Sequence, residues 1–185
     1  MLKSILVKSL LSAAILGALA APMAVQAQKA GMNTPAASSL NKTDSAIAMD
    51  MARTNMAEVE TGKLAVSKTK NAGVKAFAQR MIDEHSQALN DVTQLAQDKG
   101  INLPTEPDAK HKAMAARLSK LSGDAFDREY MKRAGVEYHT KVLAALKKQE
   151  AKARDPDVKA LAAKMLPMVE QHLDSAKGMS NTTKK

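Results

Sequence analysis

The sequence predicts an all-α fold of four long helices arranged as two hairpins. Three observations predict it. The apolar residues, 45% of the chain, are almost all Ala, Leu, Met and Val, while aromatics make up 2% and Trp is absent. Together with Lys, Gln and Glu this is the vocabulary of helices, and aromatic residues that favour sheets are scarce. Four long stretches carry apolar side chains at a period near 3.6 residues. Turn residues separate them: Asn71-Ala72-Gly73, Gly100, the Pro-bearing run from Asn102 to Asp108, Ser122-Gly123-Asp124, and Asp155-Pro156.

The elements follow in order. Residues 1–27 have the three parts of a secretory signal: the basic Lys3 and Lys8, the apolar stretch Ser9 to Ala21, and Val25-Gln26-Ala27 with small residues at the cleavage positions. Cleavage is expected after Ala27, which makes the protein periplasmic or otherwise exported. The apolar stretch is too short and too Ala-rich for a membrane span, so no stable span is expected once the signal is removed. Residues 28–42 are polar, with Gly, Pro and Ser, and read as a flexible leader.

The bundle domain is expected over residues 43–177. Its first helix starts at Thr43 or Asp44, either of which can cap it, and runs to about Lys70. The second runs from Val74 to about Lys99 and stops at Gly100, a common terminator. A short helix from Ala109 to Leu121 follows. The third long helix runs from Ala125 to about Ala153. The fourth opens on a capping aspartate with proline at its first position, Asp155-Pro156, and reaches about Ala176 with a kink at Pro167. Residues 178–185 form a polar tail. The connector between the hairpins is long enough to cross the length of a bundle, which is the ferritin-like four-helix arrangement. A simple up-down bundle is the alternative. Val74 to Ile82 (VKAFAQRMI) and Val158 to Leu166 (VKALAAKML) echo each other and support the pairing of the hairpins.

Charge and composition exclude several functions. The net charge is +9, of which Lys3 and Lys8 account for two, leaving +7 on the rest. The lysines alternate with acids on helix faces, with no dense block and no stacking aromatics, so no nucleic-acid partner is expected. There is no cysteine, hence no disulfide and no lipoprotein attachment site. Without a Gly-rich phosphate loop or a G-x-S-x-G turn, nucleotide-binding and hydrolase readings have no foothold, and no catalytic residue is singled out. Homo-oligomerisation and protein partners stay open.

The informative residues are polar ones on apolar stripes. Glu58 falls within the stripe of Ile47, Met51, Gly62 and Ala65, whereas Glu60 points the other way. His85 lies between Met81 and Leu89. His139 is in line with Val136, Val142, Leu143 and Leu146, and His172 continues Val158, Leu161, Met165 and Val169. Counted from the two turns, all four fall within roughly two helical turns of one level. One carboxylate and three imidazoles at one depth suit a divalent transition ion: zinc, copper, iron or manganese. The competing reading is a metal-free network, with Glu58 bonded to protonated imidazoles. His111 is expected to be solvated, Tyr130 to be a core residue with a bonded hydroxyl, and Asp83 and Glu84 to face outward or to support the His85 ring.

Residues 43 to about 177 resemble the bacterial exported family known as domain of unknown function 4142. The matching stretches are AEVETGKLA (Ala57 to Ala65), FAQRMIDEH (Phe77 to His85), GDAFDREY (Gly123 to Tyr130), the His139 region and LPMVEQH (Leu166 to His172). The resemblance implies a ferritin-like helical bundle and no particular reaction. The family's pattern falls on Glu58, His85, Asp127, Tyr130, His139 and His172. Diiron ferritin-like proteins carry Glu-x-x-His pairs, and this chain has none, so carboxylate-bridged diiron chemistry is poorly supported. Three functions remain: an exported metal-binding bundle, a non-enzymatic envelope or stress protein with a structural polar core, and, with less support, a metal-dependent oxidase.

Overall fold

The computed structural model describes residues 39–182, with side chains described through residue 180; the expected signal peptide, most of the leader and the last three residues lie outside them. Every element among the described residues is helical. Helix α1 spans Lys42–Lys68 and α2 spans Ala72–Asp98. Helix α3, in the connector, spans Ala109–Ser119. Helix α4 (Gly123–Tyr130) passes into a π-helical segment (Met131–Tyr138) and then into α5 (His139–Lys152). The residues at both junctions keep helical dihedrals, so the three pieces form one long rod. Helix α6 spans Pro156–Thr182.

Short polar side chains set the boundaries. Asn41, not Thr43 or Asp44, caps α1 by accepting from the Thr43 and Asp44 amides. Asn71 does the same for α2 through Gly73 and Val74, which leaves Thr69 to Asn71 as the tight turn of the first hairpin. Gly100 takes φ +63° after α2, and the amide of Ile101 bonds back to the Ala96 carbonyl, a Schellman closure. Asp155 caps α6 through Asp157 and Val158, with Pro156 at the first helical position as expected. The helix continues through the exposed Pro167 and takes in residues 178–182, which the sequence pattern assigns to a polar tail.

Contacts between the ends fix the topology. Asp44, at the start of α1, accepts from the amides of Arg154 and Asp155 in the α5–α6 turn, and Lys99, just after α2, bonds Asp155. These ends share one pole. At the other pole Lys68 donates to the Leu121 carbonyl ahead of α4. The connector carrying α3 therefore returns the chain along the bundle, and the four long rods run up, down, down and up. This is the ferritin-like order.

Close approach at two glycines holds the rods together. A methyl group at Gly62 would lie 2.9 Å from Cγ1 of Ile82 and 3.1 Å from the Ala78 carbonyl, so α1 and α2 pack as closely as they do only because Gly62 lacks a side chain. A methyl at Gly135 would lie 3.0 Å from Cβ of Ala176, and the π segment meets α6 in the same way. Two apolar clusters fill the interior. One, around Ala48, Val92, Leu146 and Leu161, lies toward the Asp44 pole, and the other, around Phe77, Phe126, Tyr130 and Met131, lies toward the first turn. Between them is a polar layer.

Candidate metal centre

That layer holds Glu58, His85, His139 and His172, at most 1% exposed, one on each long rod. The three imidazoles converge. Ring centroids lie 5.1 Å apart for His85 and His172, 5.3 Å for His139 and His172, and 5.8 Å for His85 and His139. One ring nitrogen from each lies within 4.8 Å of the others. Glu58 does not join this group: its Oε1 sits 3.7 Å from Nδ1 of His139, behind that ring.

Each ring is held by one nitrogen and leaves the other bare. Nδ1 of His85 donates to Oδ1 of Asn55 at 2.8 Å, and the Asn55 amide is itself oriented by its Nδ2 donating to the Met51 carbonyl. Nδ1 of His139 donates to the Ala134 carbonyl at 2.8 Å. Nε2 of His172 donates to the half-exposed Glu84 carboxylate. The remaining nitrogens, Nε2 of His85, Nε2 of His139 and Nδ1 of His172, are buried with no hydrogen-bond partner among the described residues. A neutral imidazole that donates through one nitrogen carries a lone pair on the other. Three lone pairs are thus left in the buried layer with nothing to accept from. Rings fixed from behind by carbonyl or carboxylate partners are the usual support of metal-binding histidines.

Electrostatics keep the rings neutral. Burial, then repulsion from His139 and His172, holds His85 well below the ordinary histidine range. Burial pushes His139 down to about 4 despite the opposing bond to Ala134. His172 is lowered by burial as well, with Glu84 pulling the other way. Burial pushes Glu58 up to about 8, so its carboxyl is mostly protonated near neutral pH. The 3.7 Å contact with His139 is therefore not an ion pair. Oε1 of Glu58 is another buried atom without a partner, as are Oδ1 of Asp127 and the Tyr130 hydroxyl, which the sequence pattern expects to be bonded.

The residues fit a transition ion in donor type, protonation and support. A tetrahedral ion bound at 2.0–2.1 Å by imidazole holds its ligand nitrogens roughly 3.4 Å apart. Nitrogens up to 4.8 Å apart must close by up to about 1.4 Å per pair, just under 1 Å for each ring, a side-chain adjustment.

The π segment places one member of the set. Counting at α-helical period puts Val136 on the seam with His139, but Val136 is half-buried and Ala134 and Gly135 take the buried positions. The wider π turn brings the carbonyl five residues back under the His139 ring, and such segments recur at functional sites. Asn55 is the functional residue that the sequence reading missed. It lies four after Met51 and three before Glu58 on the same stripe, so a polar residue at a buried register was the available signal. Glu84 supports a histidine, but it is His172 rather than His85.

A cleft of about 200 Å³ leads from the surface to this layer. Met51, Asn55, His85 and Met165 line its inner part, and Asp50, Asp108, His111, Tyr138 and Lys141 its outer part. His111 is not solvated as the sequence suggests: Tyr138 bonds it at 2.7 Å. Burial, with Glu58 adding to it, holds the Tyr138 phenol well above its usual range, so it stays protonated.

Fold and site together define a helical bundle with a buried layer of three neutral histidines that can hold a metal ion. Residues 29–179 match the family described as Domain of unknown function (DUF4142), and the chain belongs to that family. No curated protein matches it. Among solved structures it is similar to the crystal structure of a DUF305 fragment from Deinococcus radiodurans, with TM-score 0.69 and 14% identity over 78% of this chain and 99% of that one. At that identity the likeness is one of fold. Among the described residues no helix is long and apolar enough to cross a membrane.

Proposed function

We propose that this protein is an exported metal-binding bundle that takes one divalent transition ion through His85, His139 and His172, with Glu58 behind the His139 ring as a charge-balancing group. One observation carries the reading: each ring is anchored through one nitrogen while the other, bare and buried, has no partner. Leaving such groups unpaired costs free energy that a bound ion would offset. Imidazole donors favour zinc, copper or iron over manganese. Export rests on Lys3, Lys8, the apolar run from Ser9 to Ala21 and the small residues before Gln28. A network of protonated imidazoles around Glu58 has less support, because burial keeps the rings neutral and Glu58 protonated.

Element analysis of protein isolated from a periplasmic fraction tests this. About one equivalent of a transition metal per chain is expected, falling to about none in a His85→Ala, His172→Ala double variant. A wild-type preparation that holds no transition metal and takes up none when titrated with zinc, copper(II) or iron(II) would sink the proposal.

A further inference from the structure

The outer part of the cleft holds a second arrangement, separate from the three bare nitrogens. Tyr138 closes the π segment one residue before His139, and their ring centroids lie 6.5 Å apart. The Tyr138 hydroxyl is 2.7 Å from Nε2 of His111, and Nδ1 of that ring is 2.8 Å from Oδ1 of Asp108. That contact lacks the alignment of a hydrogen bond, but a lone pair on Nδ1 would oppose the carboxylate, so the proton sits on Nδ1, Nε2 is the lone-pair nitrogen and the phenol donates to it. A base thus already sits at hydrogen-bond distance from the one proton that a phenol must lose on oxidation.

The other tyrosine is built differently. Tyr130 is fully buried and its hydroxyl has no partner among the described residues, so no base stands ready for its proton. The chain has only these two tyrosines, and neither Trp nor Cys.

We propose that Tyr138 is a one-electron relay at the cleft, passing single electrons between a donor and an acceptor that meet it there. The oxidant belongs to the class of one-electron acceptors, such as an outer-sphere metal complex at the cleft. It takes one electron from the phenol and is reduced by one unit. The O–H bond breaks and its proton passes to Nε2 of His111, leaving a neutral phenoxyl radical on Tyr138 and an imidazolium facing Asp108. A one-electron donor reverses both transfers. None of this requires an ion at His85, His139 and His172, so the relay and the metal site can fail separately.

Flash oxidation of the metal-free protein by photogenerated tris(bipyridine)ruthenium(III), followed by electron paramagnetic resonance and transient absorption, tests the relay. A phenoxyl signal is expected in the wild type and in Tyr130→Phe, and none in Tyr138→Phe. Its formation should slow in D2O and fall about tenfold in His111→Asn, which removes the basic ring. Should His111→Asn not fold, as judged by circular dichroism, the D2O measurement on the wild type decides. A bond that merely fastens α3 to the bundle would change stability without any isotope effect. No phenoxyl signal in the wild type, a signal that survives in Tyr138→Phe, or a rate indifferent to D2O overturns the proposal.

Discussion

Two buried carboxyl groups on the same helix have opposite surroundings. Asp44 and Glu58 both lie on α1 and both are sealed from solvent. Asp44 accepts from the Arg154 and Asp155 amides at 3.0 Å each and from the Asn41 side chain, so both its oxygens are satisfied. Glu58 has an oxygen with no partner, and burial holds its proton on to about pH 8. A satisfied buried carboxylate pins structure; an unsatisfied one stores free energy at a site that something else can relieve. The first sits where two hairpins meet, the second in the histidine layer, behind the ring of His139.

The largest expected effect separates the two by pH. The unfolded chain releases the Glu58 proton near its ordinary value of 4.5, the folded chain near 8. Between those values the unfolded state binds fewer protons, so raising pH destabilises the fold, by on the order of 5 kcal/mol across the whole interval. His139 works from the other side. Its folded value is about 4 against an ordinary 6.5, so the unfolded chain takes up the proton first as pH falls through that range, and stability is lost toward acid. These two limbs cancel between roughly pH 4.5 and 6.5, and His85 and His172, lowered in the same direction as His139, move the optimum of the metal-free protein toward the upper end of that range. Glu58→Gln should flatten the alkaline limb and leave the acid limb standing. Urea unfolding of both proteins across pH checks this, and parallel alkaline limbs would show that Glu58 does not carry the burial cost.

Asp44→Ala should come next, with a loss of about 3 kcal/mol that leaves two backbone amides of the α5–α6 turn without acceptors. Asp44→Asn keeps one acceptor oxygen and should lose about half as much. Denaturant unfolding at pH 7 measures both. A loss under about 1 kcal/mol for the alanine variant would mean that solvent replaces the carboxylate, and the contrast with Glu58 would collapse.

The two carboxyls also mark how far the sequence could be read. Glu58 was legible because period and polarity suffice: a glutamate between Met51 and Gly62 at helical spacing has to be buried. The three histidines were legible for the same reason, and so was the depth they share, since rise per residue converts counting into height. Asp44 looked like a helix cap because a cap is a local device. Its partners lie more than a hundred residues away in a turn, and nothing in local pattern foretells that pairing. The π segment was invisible as well. Inserting a wider turn changes which carbonyl lies under His139 without requiring any special residue type, so Val136 was placed on the seam in error. Hairpins, connector and stripes were thus readable from periodicity, whereas the groups that orient the rings come from tertiary contact.

The smallest expected effect on stability comes from Asn55, which belongs to the contrast because its amide is satisfied on both sides while serving an unsatisfied ring. Its Nδ2 bonds the Met51 carbonyl and its Oδ1 accepts from His85, so it fixes which nitrogen of that ring carries the proton. Asn55→Ala removes two hydrogen bonds, but it also opens space continuous with the cleft, where water can take their place. The fold should lose only about 1 kcal/mol. Metal affinity is the more sensitive readout. A His85 ring free to exchange tautomers or to turn presents its lone pair only part of the time, and loss of such an outer partner typically weakens binding about ten- to a hundredfold. Calorimetric titration of zinc into wild type and Asn55→Ala measures the ratio. Equal affinities would mean that packing alone orients His85, and that the anchored-ring pattern supporting the metal site is incidental at this position.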